Sequence, residues 1–89
     1  MVTKQTTIIN QTGLHARPAS EFVAAATKFK SKITIKRIGS DKEANVKSIV
    51  FVLSLGLTKG TAVEISASGE DEAQAVDTLV ALIETGFGE

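Results

Sequence analysis

The stretch Thr12-Gly13-Leu14-His15-Ala16-Arg17-Pro18-Ala19 carries the only histidine and the only proline in 89 residues. Imidazole is the side chain whose ordinary titration suits it to nucleophilic or proton-transfer chemistry near neutral pH. Proline fixes φ and lacks an N–H, so it fits the first turn of a helix, where amide hydrogens have no intrahelical partner. Behind Pro18, residues Ala19, Phe22, Val23, Ala26 and Phe29 recur at helical spacing, with Ser20, Glu21, Thr27 and Lys28 mostly on the other side. This pattern predicts an amphipathic helix from about Arg17 to Lys28. His15 then lies at or just before its N-terminus, where orphan amides and the positive end of the macrodipole make an anion site. The dipole disfavours added positive charge by about 0.3–1 kcal/mol, which favours the neutral, nucleophilic ring. A phosphoryl group on that ring would find its charge stabilised by the amides and by the forked guanidinium of Arg17. Gly13 lets the preceding turn approach closely whatever binds. A lone histidine before a helix also serves as a plain cap or turn residue, so the residue types alone leave both readings open.

The elements that must hold this stretch follow from the alternation of apolar and polar residues. Thr3 to Ile9 reads as a strand ending at Asn10-Gln11-Thr12-Gly13, so the histidine loop follows a strand and opens a helix. Lys32-Ile33-Thr34-Ile35-Lys36 alternates as a half-buried strand, Gly39 to Lys42 turns, and Glu43 to Val46 returns as a short second strand of a hairpin. Lys59-Gly60 leads into a further strand, Thr61 to Ser68, with Val63, Ile65 and Ala67 inward. Gly69-Glu70-Asp71-Glu72 then places acids at a helix start, where they suit the dipole and read as a solvated first turn rather than a metal site. Val76, Leu79, Val80 and Ile83 form the buried face of that helix, and Gly86 ends it. With helices interleaved among strands, an α+β fold with one sheet face covered by helices is the economical solution.

A second functional stretch begins at Ser48, a residue type suited to capping a helix that runs through Ile49, Val52 and Leu53 and stops at Gly56. A phosphate on Ser48 would be favoured by that helix N-terminus, yet would add about −1.5 to −2 charges to a face shared with His15. The simpler reading is a cap. Ile49-Val50-Phe51 is an unbroken apolar run, more than one helix face hides, so part of it is expected on the surface as a docking patch. For Phe51, core and surface are equally supported.

Composition narrows the function classes. With 43% hydrophobic and 22% charged residues the chain has the make-up of a soluble globular protein, and 89 residues suffice for one core, so residues 1–89 read as a single domain. Ten basic and ten acidic residues cancel, and four Phe with no Trp or Tyr make a poor stacking platform, which argues against nucleic acid as a partner. The absence of cysteine excludes disulfides and thiolate metal sites. No apolar h-region follows Met1, and no apolar run approaches a membrane span, so a cytoplasmic protein without membrane insertion is expected.

Gly13-Leu14-His15-Ala16-Arg17-Pro18-Ala19, with Lys47-Ser48-Ile49 and Leu53-Ser54-Leu55-Gly56 downstream, closely resembles the histidine-containing phosphocarrier (HPr) family of the bacterial sugar phosphotransferase system. The resemblance spans essentially the whole chain. It implies an open-faced β-sandwich, a four-stranded antiparallel sheet with three helices on one face, that acts as a monomer without cofactor or metal. By the same resemblance His15 is phosphorylated on Nδ1 and Arg17 clamps the phosphate; Thr12 and Ala16 are phosphate-loop candidates, although a turn hydroxyl such as that of Thr12 more often bonds its own backbone. The phosphoryl group would come from enzyme I, itself charged by phosphoenolpyruvate, and pass to enzyme IIA domains for sugar uptake. Docking would involve Ile49, Val50 and Leu53. Phosphorylation of Ser48, as in members of Gram-positive type, would add HPr kinase/phosphorylase and a catabolite-control transcription regulator as partners. The sequence departs from the family at Val50 and Phe51, where methionine and glycine are common, and in a longer loop near Ser40. A purely regulatory protein, an inert interaction domain and a nitrogen-related branch using the same histidine are the competing readings. No nucleotide loop, triad or metal set is present, so partner proteins must supply the rest of any catalysis.

Overall fold

The computed structural model describes residues 1–88. The elements run β1 (Val2–Thr7), α1 (Ala16–Ala26), β2 (Lys32–Arg37), β3 (Glu43–Asn45), α2 (Ile49–Ser54), β4 (Ala62–Ser68) and α3 (Glu72–Glu84), followed by a 3-10 turn at Gly86–Gly88. The sheet order is β1-β4-β2-β3 with every pairing antiparallel. The last strand in the chain therefore lies inside the sheet, flanked by β1 and β2.

Strand alternation decides which face is covered. Ile33 pairs with Ala67 and Ile35 with Ile65 across β2 and β4, and all four are buried. Their neighbours Lys32, Thr34, Lys36, Glu64 and Ser66 point to the opposite, open face, where Thr3 and Ser66 share a 3.0 Å hydroxyl hydrogen bond. The three helices cover the apolar face: α3 packs on β1 and β4, and α1 packs on both α2 and α3. Phe22 of α1, Val52 of α2, and Leu79 and Ile83 of α3 are fully enclosed, each worth about 1.5–3 kcal/mol of apolar burial. Among the described residues no helix is long and apolar enough to cross a membrane.

Boundaries differ from the sequence reading where backbone bonding changes character. α1 stops at Ala26 because the amides of Lys28 and Phe29 bond three residues back, to Ala25 and Ala26, tightening the last turn. β1 ends at Thr7, although Ile8 still bonds Thr61 and Gly60 through its backbone. α3 runs to Glu84 with Thr85 as its cap, and Gly86 at φ +70° just beyond stops it as the sequence reading expected.

The acidic turn before α3 is only partly the solvated surface expected. Glu70 is open to solvent, but Asp71 accepts the Lys30 amide at 2.9 Å, the Ser31 amide at 3.0 Å and the Ser31 hydroxyl at 2.5 Å. Asp71 thus makes no capping bond to its own helix and holds the turn after α1 instead. Glu72 accepts the Gly69 amide at 3.2 Å and pairs with the N-terminal ammonium at 2.9 Å. Gly69 is required here, because a Cβ would stand 2.7 Å from the Ser31 backbone. The Ser31 hydroxyl, then the Lys30 amide, hold the Asp71 carboxyl well below its ordinary 3.8, at about 2.

A carboxylate depressed on folding stabilises the fold fully above its unfolded value and ceases to do so as pH falls through its folded value. The Asp71 contribution is therefore present above about pH 3.8 and disappears toward pH 2. Urea unfolding midpoints measured from pH 5 to pH 2 should fall more steeply for the wild-type chain than for Asp71→Asn, which starts lower and lacks this titration.

Candidate functional site

The loop between β1 and α1 is built by close backbone contact. The Gly13 amide bonds the Asn10 carbonyl at 3.1 Å, and the buried Asn10 side chain donates back to the Gly13 carbonyl at 2.8 Å. The Leu14 amide then donates to the Leu57 carbonyl at 2.8 Å, tying the loop to the chain just beyond α2. Gly13 has φ +67°, and a Cβ there would lie 2.3 Å from the Leu57 carbonyl oxygen and 2.8 Å from Thr58 Cα. Only glycine permits that approach. Leu14 is buried in the core while the next residue, His15, is exposed, so the loop is anchored immediately beside the imidazole.

His15 occupies the N-cap position of α1 with extended backbone (φ −137°, ψ 152°), and its side chain makes no capping bond. The plain-cap reading thus lacks its hydrogen bond. The His15 amide closes a tight turn onto the Gly13 carbonyl at 3.0 Å. Ala16, exposed and first in the helix, takes φ +49°. This left-handed conformation costs an alanine about 1–2 kcal/mol. Pro18 follows in the first turn, buried, and no acidic side chain occupies that turn. The positive end of an eleven-residue helix is thereby left without a competing carboxylate beside an exposed imidazole.

Arg17 is exposed, but its guanidinium is engaged. Nη1 donates to Glu21 Oε1 at 2.5 Å, one helical turn on, and Nη2 donates to the Phe87 carbonyl at 3.4 Å. Phe87 is buried, with φ +56°, and its ring meets Phe22 edge to face with centroids 6.4 Å apart. The chain end thus folds back over α1 to reach the site residue. Thr12 is exposed, and its hydroxyl lies within its own loop, 3.5 Å from the Gly13 carbonyl and 3.4 Å from Asn10 Nδ2.

The second stretch is placed by α2. Ser48 is half-buried at its N-cap position and makes no side-chain capping bond, contrary to the cap expected of it. The helix start is held by the Val52 amide on the Ser48 carbonyl at 3.1 Å, and Lys47 reaches back to the Phe29 carbonyl at 2.7 Å. Val50 and Phe51 are 69% and 58% exposed, and Ile49 and Leu53 are also on the surface. This decides the status of Phe51, which is not a core residue. Val52 alone among the six residues of α2 is buried.

An open-faced α+β sandwich of this topology is a recognisable class, and the comparisons with known proteins place the chain in one family of it. Residues 2–85 match the family model described as "PTS HPr component phosphorylation site". The phosphocarrier protein HPr of Haemophilus influenzae is 51% identical over 85 residues, covering 96% of this chain and 98% of the relative. The structure of an HPr from Thermoanaerobacter tengcongensis superposes with a TM-score of 0.95 at 47% identity, covering 100% of this chain and 98% of that one. An HPr dimer from the same organism matches with a TM-score of 0.78 at 49% identity, over 94% of each chain. The chain belongs to the HPr family of phosphocarrier proteins.

The structure places His15 at the start of α1 and Ile49, Val50 and Leu53 on the surface of α2, where the sequence reading put them, but the partners of Arg17 were not foreseen. Glu21 lies four residues beyond Arg17, a spacing that brings side chains together on one helix face and so carried a readable signal. Phe87 carried none, because its contact spans most of the chain. The left-handed Ala16 had no glycine to mark it.

Gly13→Ala should destabilise the chain by about 2–4 kcal/mol, since it combines a left-handed alanine with a clash against backbone. Chemical denaturation measures that loss, and amide exchange should show it concentrated at Leu14 and His15.

Proposed function

We propose that this chain is a phosphoryl carrier in which His15 Nδ1 is the acceptor and Arg17 the phosphate clamp. The observation that carries the proposal is an exposed imidazole at the positive end of α1, fixed by the Leu14 to Leu57 hydrogen bond, in a chain of the HPr family. The Nδ1 lone pair forms the bond to phosphorus as the donor's bond to phosphorus breaks, so the group moves without nucleotide or metal. The donor is enzyme I charged by phosphoenolpyruvate, and the acceptors are enzyme IIA domains of sugar-uptake systems. The chain acts as a cytoplasmic monomer and supplies the nucleophile and anion site, while its partners supply the remaining catalytic groups. Ala16 and Thr12 border the phosphate, with the helix amides as donors.

The exposed Ile49, Val50 and Leu53, with Phe51 added, form the apolar docking surface. Phe51 enlarges it beyond what the family's common glycine would offer. Ser48 is a regulatory phosphorylation site: its hydroxyl is not spent on capping, and a phosphate there would set negative charge beside the docking surface. HPr kinase/phosphorylase and a catabolite-control regulator are the partners of that branch.

The deciding experiment is incubation with enzyme I and phosphoenolpyruvate, read by intact mass before and after acid. One acid-labile phosphate is expected on the wild-type chain and none on His15→Ala, whose stability should stay within about 0.5 kcal/mol because the side chain is exposed. No uptake by the wild-type chain would refute the carrier role. With Ser48→Asp, transfer from enzyme I should slow severalfold while the unfolding midpoint barely moves, and an unchanged rate would remove Ser48 from regulation.

A further inference from the structure

Resting on the reading of Arg17 as the phosphate clamp, we infer that Glu21 is a positioning residue that holds the Arg17 guanidinium in reserve and thereby sets how tightly His15 retains its phosphoryl group. Arg17 Nη1 bonds Glu21 Oε1 at 2.5 Å, and Nη2 bonds the Phe87 carbonyl at 3.4 Å. Two of the five guanidinium N–H groups are thus bonded, to acceptors of different strength, a carboxylate and a peptide carbonyl. The carbonyl is fixed in place, since Phe87 is buried against Phe22, the residue next to Glu21 on α1. The guanidinium is thus held between its own helix and the chain end before any phosphate arrives.

A phosphoryl group on His15 must draw the guanidinium away from these acceptors, because its remaining N–H groups cannot turn to the phosphate while it is held in this place. The Glu21 carboxylate is the stronger competitor, being charged and one helical turn away. Its effect is bounded by exposure, because the side chains of Arg17 and Glu21 are 61% and 39% accessible to water. Exposed ion pairs of this kind shift equilibria about two- to fivefold. That is the size of adjustment a carrier uses: the phosphorylated form remains stabilised by the helix amides, yet the clamp is not free to trap it. Glu21 touches neither the phosphoryl group nor the imidazole in this arrangement, and acts through Arg17.

The test is a phosphoryl exchange between the chain and N-phosphoimidazole in excess imidazole, read by phosphorus NMR. In the exchange the nitrogen–phosphorus bond of the small molecule breaks and the same type of bond forms at His15, and the released imidazole takes up the proton that the His15 ring gives up. The equilibrium constant should rise about two- to fivefold for Glu21→Gln, remain near wild type for Glu21→Asp, and lose its dependence on residue 21 in an Arg17→Gln background. The difference should also shrink in 1 M salt, which a loss of helix structure would not produce. Failure of the wild-type chain to take phosphate on His15 would refute the carrier reading itself. Normal uptake with no difference between wild type and Glu21→Gln would overturn the role of Glu21 alone. An equal rise in the Arg17→Gln background would also overturn it, because the effect would then be direct repulsion between carboxylate and phosphate.

Discussion

The contact between Gly13 and the Leu57-Thr58 backbone is the constraint on which the site depends. It exists only because position 13 lacks a Cβ, and it is locked by the Leu14 amide on the Leu57 carbonyl. One end of this clasp carries the imidazole. The other follows directly on α2, whose outer surface is apolar. A single backbone approach therefore couples the imidazole to the exposed apolar surface of α2, and the relative placement of the two is set by peptide geometry rather than by flexible side chains.

The chemistry follows from what this placement leaves unsatisfied. α1 begins with an exposed imidazole that does not cap it, a strained alanine and a proline that has no amide to satisfy. The helix terminus is prepared for an anion and is offered no carboxylate in its first turn. The strain at Ala16 is tolerated because Leu14 and Pro18 on either side are buried, so the fold, not the local preference, dictates the turn. Arg17 is different in kind. It is an exposed side chain whose guanidinium is held by Glu21 and the Phe87 carbonyl.

Much of this was legible in the sequence, for identifiable reasons. Strands β2 and β4 alternate so cleanly that their inward residues could be named in advance, and the helix after Pro18 announced itself through one proline and one apolar stripe. The paired motifs around His15 and Ser48 then narrowed a generic α+β domain to one family. Three features were not legible. Phe51 sits in an apolar run on a six-residue helix, where periodicity cannot separate buried from exposed positions, and only the packing of Val52 settles the matter. Asp71 reads as one acid among several, and its three hydrogen bonds come from a turn forty residues earlier. Phe87 follows the glycine that ends α3, and its ring packs into the core against Phe22. In each case the deciding contact is distant in sequence, which local patterns do not encode.

The sheet order has a consequence for synthesis on the ribosome. β4 is the strand to which both β1 and β2 pair, and it begins only at Ala62. A nascent chain that has emerged as far as α2 holds His15 and Ser48 but has only the β2–β3 hairpin, not the four-stranded sheet, to pack them on. The Gly13 clasp needs Leu57, the sheet needs Ser68, and the ring beneath α1 needs Phe87. With so many pairings remote in sequence, loop closure makes the sheet and the clasp slow to form compared with local contacts such as the β2–β3 hairpin. The loop that carries His15 thereby gains its fixed geometry only after Leu57 and the central strand β4 have been made.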